Sequence, residues 1–378
     1  MKFSRRTLLK IGSLGLARAI LPPLPKMDFY TDGEIALPAT RKPVLAFARA
    51  LQWNAVLRSE PNSSAPQVGS LKRDTVLPIF AEVKSDSGSS YNKLWYEVEG
   101  GYLYSALAHP VRWQLNKPMT DAGEKGFWAE VTVPFVDSRS APSVKAPATK
   151  YRYYGGTTYK VIKALKTTDA AKDAQDKPLP FSGSTDWWYQ IEDESFPGKY
   201  FVPASHLRPI GQAEFTPLSP NIDPQEKKLV VNLKAQMLHA YERDVEVFNC
   251  RTATGTYFKD VETGEMKDYT TTPGNWNVFR KTPSQHMYGG AVGDDESFDL
   301  PGIPWVSYFT TSGIAVHGTY WHNDYGIPRS HGCVNVTSEN SKWVWRWSLP
   351  ANQYDERYIT LDTKQRKDAS AATLVVVQ

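Results

Sequence analysis

Residues capable of acyl transfer lie close together in one stretch of this 378-residue chain. From Ile314 it reads Ile314-Ala315-Val316-His317-Gly318, crosses a loop at Tyr325-Gly326-Ile327-Pro328, and continues Arg329-Ser330-His331-Gly332-Cys333-Val334-Asn335-Val336. Cysteine attacks a carbonyl as its thiolate, so a catalytic cysteine needs a lowered pKa and a base within reach. His317 stands sixteen positions before Cys333, far enough for the loop to return and set imidazole against sulfur. Gly332 leaves room for a carbonyl near the backbone, and N–H groups of that turn could form an oxyanion hole.

Each residue also has a plainer use. Cys333 can be an inert buried thiol, His317 or His331 a structural ring, and Arg329 a solvated loop charge. His317, His322, His331 and Cys333 are zinc-capable types, but the chain has no CxxC or HExxH pair, so neither metal nor other cofactor is expected. Cys250, the other cysteine, is expected to be a strand thiol, because a stable bond to Cys333 would block the nucleophile.

The elements around these residues read as strands with one helix. A strand delivers His317, and after Asn335 a helix begins under a Thr337 or Ser338 cap, with Trp343, Val344 and Trp347 on one face. Upstream, Lys228-Leu233, Gln236-Tyr241 and Val245-Cys250 read as strands, with a turn at Thr252-Ala253-Thr254-Gly255. Between Trp276 and Pro304, Met287-Tyr288-Gly289-Gly290 and Asp294-Asp295-Glu296 suggest a flap over the cleft, or else a long hairpin.

Forty-four basic against 40 acidic side chains is too balanced for a dedicated nucleic-acid binder, and none is expected as partner. Ser4-Arg5-Arg6-Thr7-Leu8-Leu9-Lys10, a short apolar run and Ala17-Arg18-Ala19 have the layout of an export signal and resemble the twin-arginine type. The expected location is therefore outside the cytoplasmic membrane, in periplasm or wall, with no membrane span once the signal is removed.

The sequence divides into a signal peptide (1–20), a proline-rich linker (21–42), two related modules (43–112 and 125–212), a third domain (227–362) and a tail (363–378). The modules share a phrase: Leu94-Trp95-Tyr96-Glu97-Val98 before Tyr102-Leu103-Tyr104, and Trp187-Trp188-Tyr189-Gln190-Ile191 before Tyr200-Phe201-Val202. Upstream of these stand Arg58-Ser59-Glu60-Pro61 and Arg139-Ser140-Ala141-Pro142. This arrangement is similar to bacterial SH3-like barrels, and the resemblance implies wall binding; a structural platform is the alternative. The fold class is mainly β, with two small SH3-like barrels ahead of a β-rich domain.

His317, Gly318 and Ser330-His331-Gly332-Cys333-Val334-Asn335 resemble the signature of L,D-transpeptidase (YkuD-type) catalytic domains. Cys250-Arg251-Thr252-Ala253-Thr254-Gly255 and Thr272-Pro273-Gly274-Asn275-Trp276 resemble two weaker phrases of that family in the expected order. The resemblance implies a cysteine acyltransferase acting on peptidoglycan stem peptides, forming 3→3 cross-links with loss of D-alanine, and acylated by carbapenems. It makes Cys333 the nucleophile and His317 the base, oriented by the Gly318 carbonyl. His331 and Gly332 would support the acyl site together with Ser330 and Asn335, Arg329 would meet a stem carboxylate, and Tyr308 with Trp305 would border the substrate path. A carboxypeptidase or amide hydrolase on the same site, or an inert wall-binding protein, are the rival readings.

Overall fold

The computed structural model describes residues 42–87, 91–169, 186–259, 263–289, 298–368 and 370–378. The expected signal peptide and nearly all of the linker lie outside the described residues, as do Gly290 and the acidic run Asp294-Asp295-Glu296.

Alternation of large apolar and polar residues makes the N-terminal half a succession of half-buried strands. The first seven form one sheet in the spatial order Gln67–Leu71, Ala55–Arg58, Gly101–Tyr104, Leu94–Val98, Val76–Lys84, Ala46–Ala50, Ala108–Val111. The next seven repeat that order strand for strand: Ala148–Tyr154, Phe135–Arg139, Tyr200–Pro203, Trp187–Glu192, Thr158–Lys166, Phe127–Val131, Leu207–Pro209. Each sheet has a register shift at the equivalent place, Ile79/Ala81 and Val161/Lys163. The loops match too. Arg58 donates to the Ala65 carbonyl (2.8 Å) and Arg139 to the Ala146 carbonyl (3.0 Å), each seven residues on. The two modules are thus one topology used twice.

The C-terminal domain is also β-rich. Val245–Arg251, Met237–Glu242, Lys227–Asn232, Leu374–Val377 and Gly274–Asn277 form one five-stranded sheet. A second joins Val334–Val336, Ala315–Gly318, Phe298–Tyr308, Arg280–Gly289 and Ile359–Thr360. Leu229, Val231, Val375 and Val377 of the first sheet share a core with Val316, Val334 and Val336 of the second, and with Val344 and Trp347 of the helix Ser338–Trp347. Thr337 caps that helix by accepting from the Asn340 amide (3.2 Å).

Residues expected to be a tail are not one. Leu374–Val377 pairs parallel with Lys228–Val231 and antiparallel with Gly274–Asn277, so the chain's last apolar run is an interior strand. Val375 and Val377 of its Leu-Val-Val-Val run are buried in the shared core, while Leu374 and Val376 on the other face are half-buried. The segment read as flap or hairpin has hairpin arms, Arg280–Gly289 paired antiparallel with Phe298–Tyr308.

Both modules dock on the C-terminal domain. From the first, His109 Nε2 lies 3.1 Å from the Thr319 carbonyl, and Asn323 donates to the carbonyls of Ser105 and Ala108 (3.1 Å each). From the second, Thr158 donates to the Pro283 carbonyl (2.6 Å), and Asp193 holds His286 (2.6 Å). These contacts grip the loop after His317 and the long strand Arg280–Gly289. No helix among the described residues is long and apolar enough to cross a membrane.

Candidate active site

Strand pleat sorts the residues around Cys333. Ala315 and His317 project to one face of their strand, while Val316 between them enters the core shared by the two sheets. Across the same sheet Ala315 pairs with Tyr308, and Tyr308 with Arg280. On the far side of Ala315, Cys333 immediately precedes Val334, the parallel partner of Val316. One row, one residue per strand, therefore runs Cys333, Ala315, Tyr308, Arg280. Cys333, Tyr308 and Trp321 pack around the same small apolar cluster of Ile303, Val306, Ala315 and Tyr320.

His317 is buried at 2% exposure, and its Nδ1 lies 3.0 Å from the Gly318 carbonyl. A carbonyl only accepts, so Nδ1 carries the proton and Nε2 keeps the lone pair. Gly318 must be glycine for packing reasons, since a Cβ there would sit 2.7 Å from Pro304 Cγ and 2.8 Å from Ser338 Cα. Burial draws His317 down to about 4, against the opposing effect of the Gly318 carbonyl.

Cys333 is half-buried, and its sulfur faces the Gly313 carbonyl at 3.8 Å rather than hydrogen-bonding to His317. Burial pushes the thiol up to about 11, although the Ala315 amide works the other way. The expectation of a depressed cysteine pKa therefore does not hold at rest: desolvation penalises the thiolate more than its neighbours favour it. The resting pair is thiol and neutral imidazole.

The turn before Cys333 is held from outside. Gly332 has φ +112°, a conformation that L side chains rarely adopt, and its carbonyl accepts from Thr271 Oγ1 (2.7 Å). The same hydroxyl accepts from the Gly255 amide (2.9 Å). Gly332 N–H donates to Ser330 Oγ (3.2 Å), and Ser330 Oγ donates to the Cys333 carbonyl, so both groups are committed to the turn itself. The Thr252–Gly255 phrase runs alongside: the amides of Gly326, Arg329 and Ser330 donate to carbonyls of Thr252 and Thr254 at 2.7–3.0 Å. Gln236, which no motif singled out, clamps Thr254 through both ends of its amide (2.7 and 2.9 Å).

Other expected residues fall differently. The exposed His331 ring lies flat on Phe258 (4.2 Å, 1°), with Tyr269 edge-on at 4.8 Å. Arg329 is ion-paired with the buried Asp324, whose other oxygen accepts from Tyr91 of the first module (2.8 Å). Its charge is therefore already offset. Asn335 is 1% exposed, with its amide nitrogen 3.0 Å from His322 Nε2 and its backbone bonded to Ala253, so it braces the strand beneath the site. Trp305 packs with Phe215 and Trp345 in a separate cluster, away from the row that holds Cys333. Sequence reasoning missed Arg280, Trp321 and Glu194 of the second module, whose charge acts on Tyr308. Cys250 is a buried free thiol in its strand, pushed up to about 12 by burial. Among the described residues no three His, Cys, Asp or Glu side chains gather as a metal site.

Residues 226–375 match the YkuD family, the L,D-transpeptidase catalytic domain. The matched span reaches the last strand and includes every residue of the Cys333 row. No curated protein matches the chain. Similar solved structures include an L,D-transpeptidase from Mycobacterium smegmatis, 18% identical over 40% of this chain and 58% of that one, at a TM-score of 0.30. An L,D-transpeptidase from Xylanimonas cellulosilytica is 22% identical over 40% of this chain and 60% of that one (TM-score 0.27). L,D-transpeptidase 3 from Mycobacterium tuberculosis, with a faropenem-derived adduct, is 19% identical over 40% and 60% (TM-score 0.29). The chain thus spans less than two thirds of the length of each of these three.

Proposed function

We propose that the YkuD-type domain is an L,D-transpeptidase that forms 3→3 cross-links in peptidoglycan through an acyl-enzyme on Cys333. The observation that carries this is the placement of His317 and Cys333 on one face of one sheet, with the His317 tautomer fixed by Gly318. Nε2 is then the only ring nitrogen able to take the thiol proton.

In the first half-reaction Sγ attacks the carbonyl of the third stem residue while His317 takes its proton. The C–N bond to the terminal D-alanine breaks, His317 returns the proton to the leaving amine, and a thioester remains. In the second, an amine from a neighbouring stem attacks the thioester, loses its proton to His317 and releases the thiol. Burial disfavours both the free thiolate and the imidazolium, so His317 must take the thiol proton during the reaction rather than hold it at rest. Carbapenems would acylate the same sulfur. The protein acts outside the cytoplasmic membrane after export by its twin-arginine-like signal. The two modules are SH3-like and serve first as a platform for the catalytic sheet, which their buried contacts with it favour; binding to the wall is a further role open to them.

The test is mass spectrometry of products from a disaccharide tetrapeptide, wild type against Cys333→Ala. D-Alanine with a 3→3 dimer, absent in the variant, is the expected result. D-Alanine with tripeptide alone would make the protein a carboxypeptidase. No turnover from folded, reduced protein would leave an inert wall-binding protein.

A further inference from the structure

Arg280 is the one residue of the Cys333 row that no motif marks. It begins the strand Arg280–Gly289 and faces Tyr308 across the ladder, while its neighbour Lys281 turns the opposite way, into the domain, to donate to the Ser348 carbonyl (2.7 Å). The Arg280 guanidinium lies over two rings, Tyr308 at 5.5 Å and Tyr358 at 4.2 Å. Such stacking holds the planar cation in place and leaves its edges for hydrogen bonds.

Those edges find no carboxylate among the described residues: no ion pair or side-chain hydrogen bond joins Arg280 to any of them, and its buried Nε has no acceptor. Glu194, an acid whose pKa burial raises and Arg280 pulls back down, is held directly by Arg357 (3.5 Å) and Gln285 (3.4 Å) instead. A half-buried guanidinium without an anion is costly to maintain, and a planar fork of this kind suits one ligand class best, a carboxylate. Arg329 is paired directly with Asp324, whereas among the described residues Arg280 has no direct carboxylate partner and feels Glu194 only at longer range.

We infer that Arg280 anchors a carboxylate of the acyl donor, holding the donor along the row so that its scissile carbonyl reaches Cys333. The inference rests on the function proposed above. The donor's leaving D-alanine ends in a free α-carboxylate, beyond the scissile bond, and that is the group assigned to Arg280. Tyr308, between the two, forms the floor along which the leaving residue lies.

The experiment is a cycle of two enzymes and two donors. Wild type and Arg280→Met are each assayed for D-alanine or D-alanine amide release from a disaccharide tetrapeptide with a free C-terminal carboxylate and from its C-terminal amide. A charge-assisted pair at this site corresponds to about 10- to 100-fold in kcat/KM. The expected result is that amidation costs wild type that factor, that Arg280→Met costs the same on the acid donor, and that amidation then costs the variant less than about 3-fold. Arg280→Lys should recover part of the loss on the acid donor alone. Alkylation of Cys333 by iodoacetamide and the melting temperature report whether the variants keep the site and the fold. Equal amidation penalties in wild type and Arg280→Met would overturn the assignment while leaving the transpeptidase reading intact. A wild type that releases no D-alanine and forms no adduct would overturn both.

Discussion

Arg49, in the first strand of the first module, donates a hydrogen bond to the backbone carbonyl of Tyr320, three residues beyond His317. It is 2% exposed, pairs with Asp74 (2.7 Å) and lies 4.2 Å over the ring of Tyr154 from the second module. Tyr154 stacks on Tyr320 (5.0 Å), Tyr320 meets Trp321 edge-on (5.0 Å), and Trp321 lies 5.9 Å from the His317 ring. One side chain thus ties both modules to the base of the site. Removing a partner from a buried ion pair costs about 3 kcal/mol. Arg49→Met should lower the melting temperature accordingly and slow D-alanine release beyond what the lost stability explains. A variant that melts and reacts like wild type would show the modules to be passengers.

The protonation states at the site make a second expectation. With the thiol pushed up to about 11 and His317 down to about 4, little thiolate exists at neutral pH. The rate of Cys333 alkylation by iodoacetamide should climb steadily from pH 6 to 10. A plateau around neutrality would show a preformed thiolate–imidazolium pair instead.

Acid should unfold the protein early. Burial lowers His109, His206 and His317 to about 4 and His322 to about 3, so all four are neutral when folded. Between about pH 6.5 and 4 the unfolded chain binds protons that the folded one refuses, so stability falls as pH falls through that window. Each histidine contributes a slope of about 1.4 kcal/mol per pH unit there. Urea unfolding at pH 7 and pH 5 measures this; equal midpoints would mean the rings are already solvated when folded.

Packing at the nucleophile turn is tight enough to test by one methyl group. A Cβ on Gly255 would lie 2.0 Å from the Tyr269 carbonyl oxygen and 2.8 Å from Gly332 Cα, all backbone. Gly255→Ala should cost about 2–3 kcal/mol and displace the Cys333 turn, with a large loss of activity. Gly211→Ala, with nothing near its Cβ, is the control and should be neutral. Thermal melts and D-alanine release decide between them.

Much of this was legible in the chain because it depends on local order. Alternation marked the strands, the Thr337-Ser338 pair marked the helix start, and the repeated Arg-x-x-Pro and Trp-Tyr phrases marked a duplicated unit whose strand orders coincide. What escaped depends on contacts between distant segments. Leu374–Val377 has no turn or cap to announce a strand, and only its neighbours Lys228–Val231 and Gly274–Asn277 make it one. Arg329 looked available because its ion pair with Asp324, which Tyr91 of the first module also holds, forms only in the fold. Arg280 stands in no motif, since a cross-strand row is invisible in one strand's sequence.

The most direct measurement is the intact mass of the protein, acid-quenched seconds after mixing with disaccharide tetrapeptide and no acceptor. The account expects an adduct equal to the donor less D-alanine, mapped to Cys333 and missing from Cys333→Ala. Released D-alanine with Cys333 alkylatable throughout, or an adduct elsewhere in the chain, would contradict it.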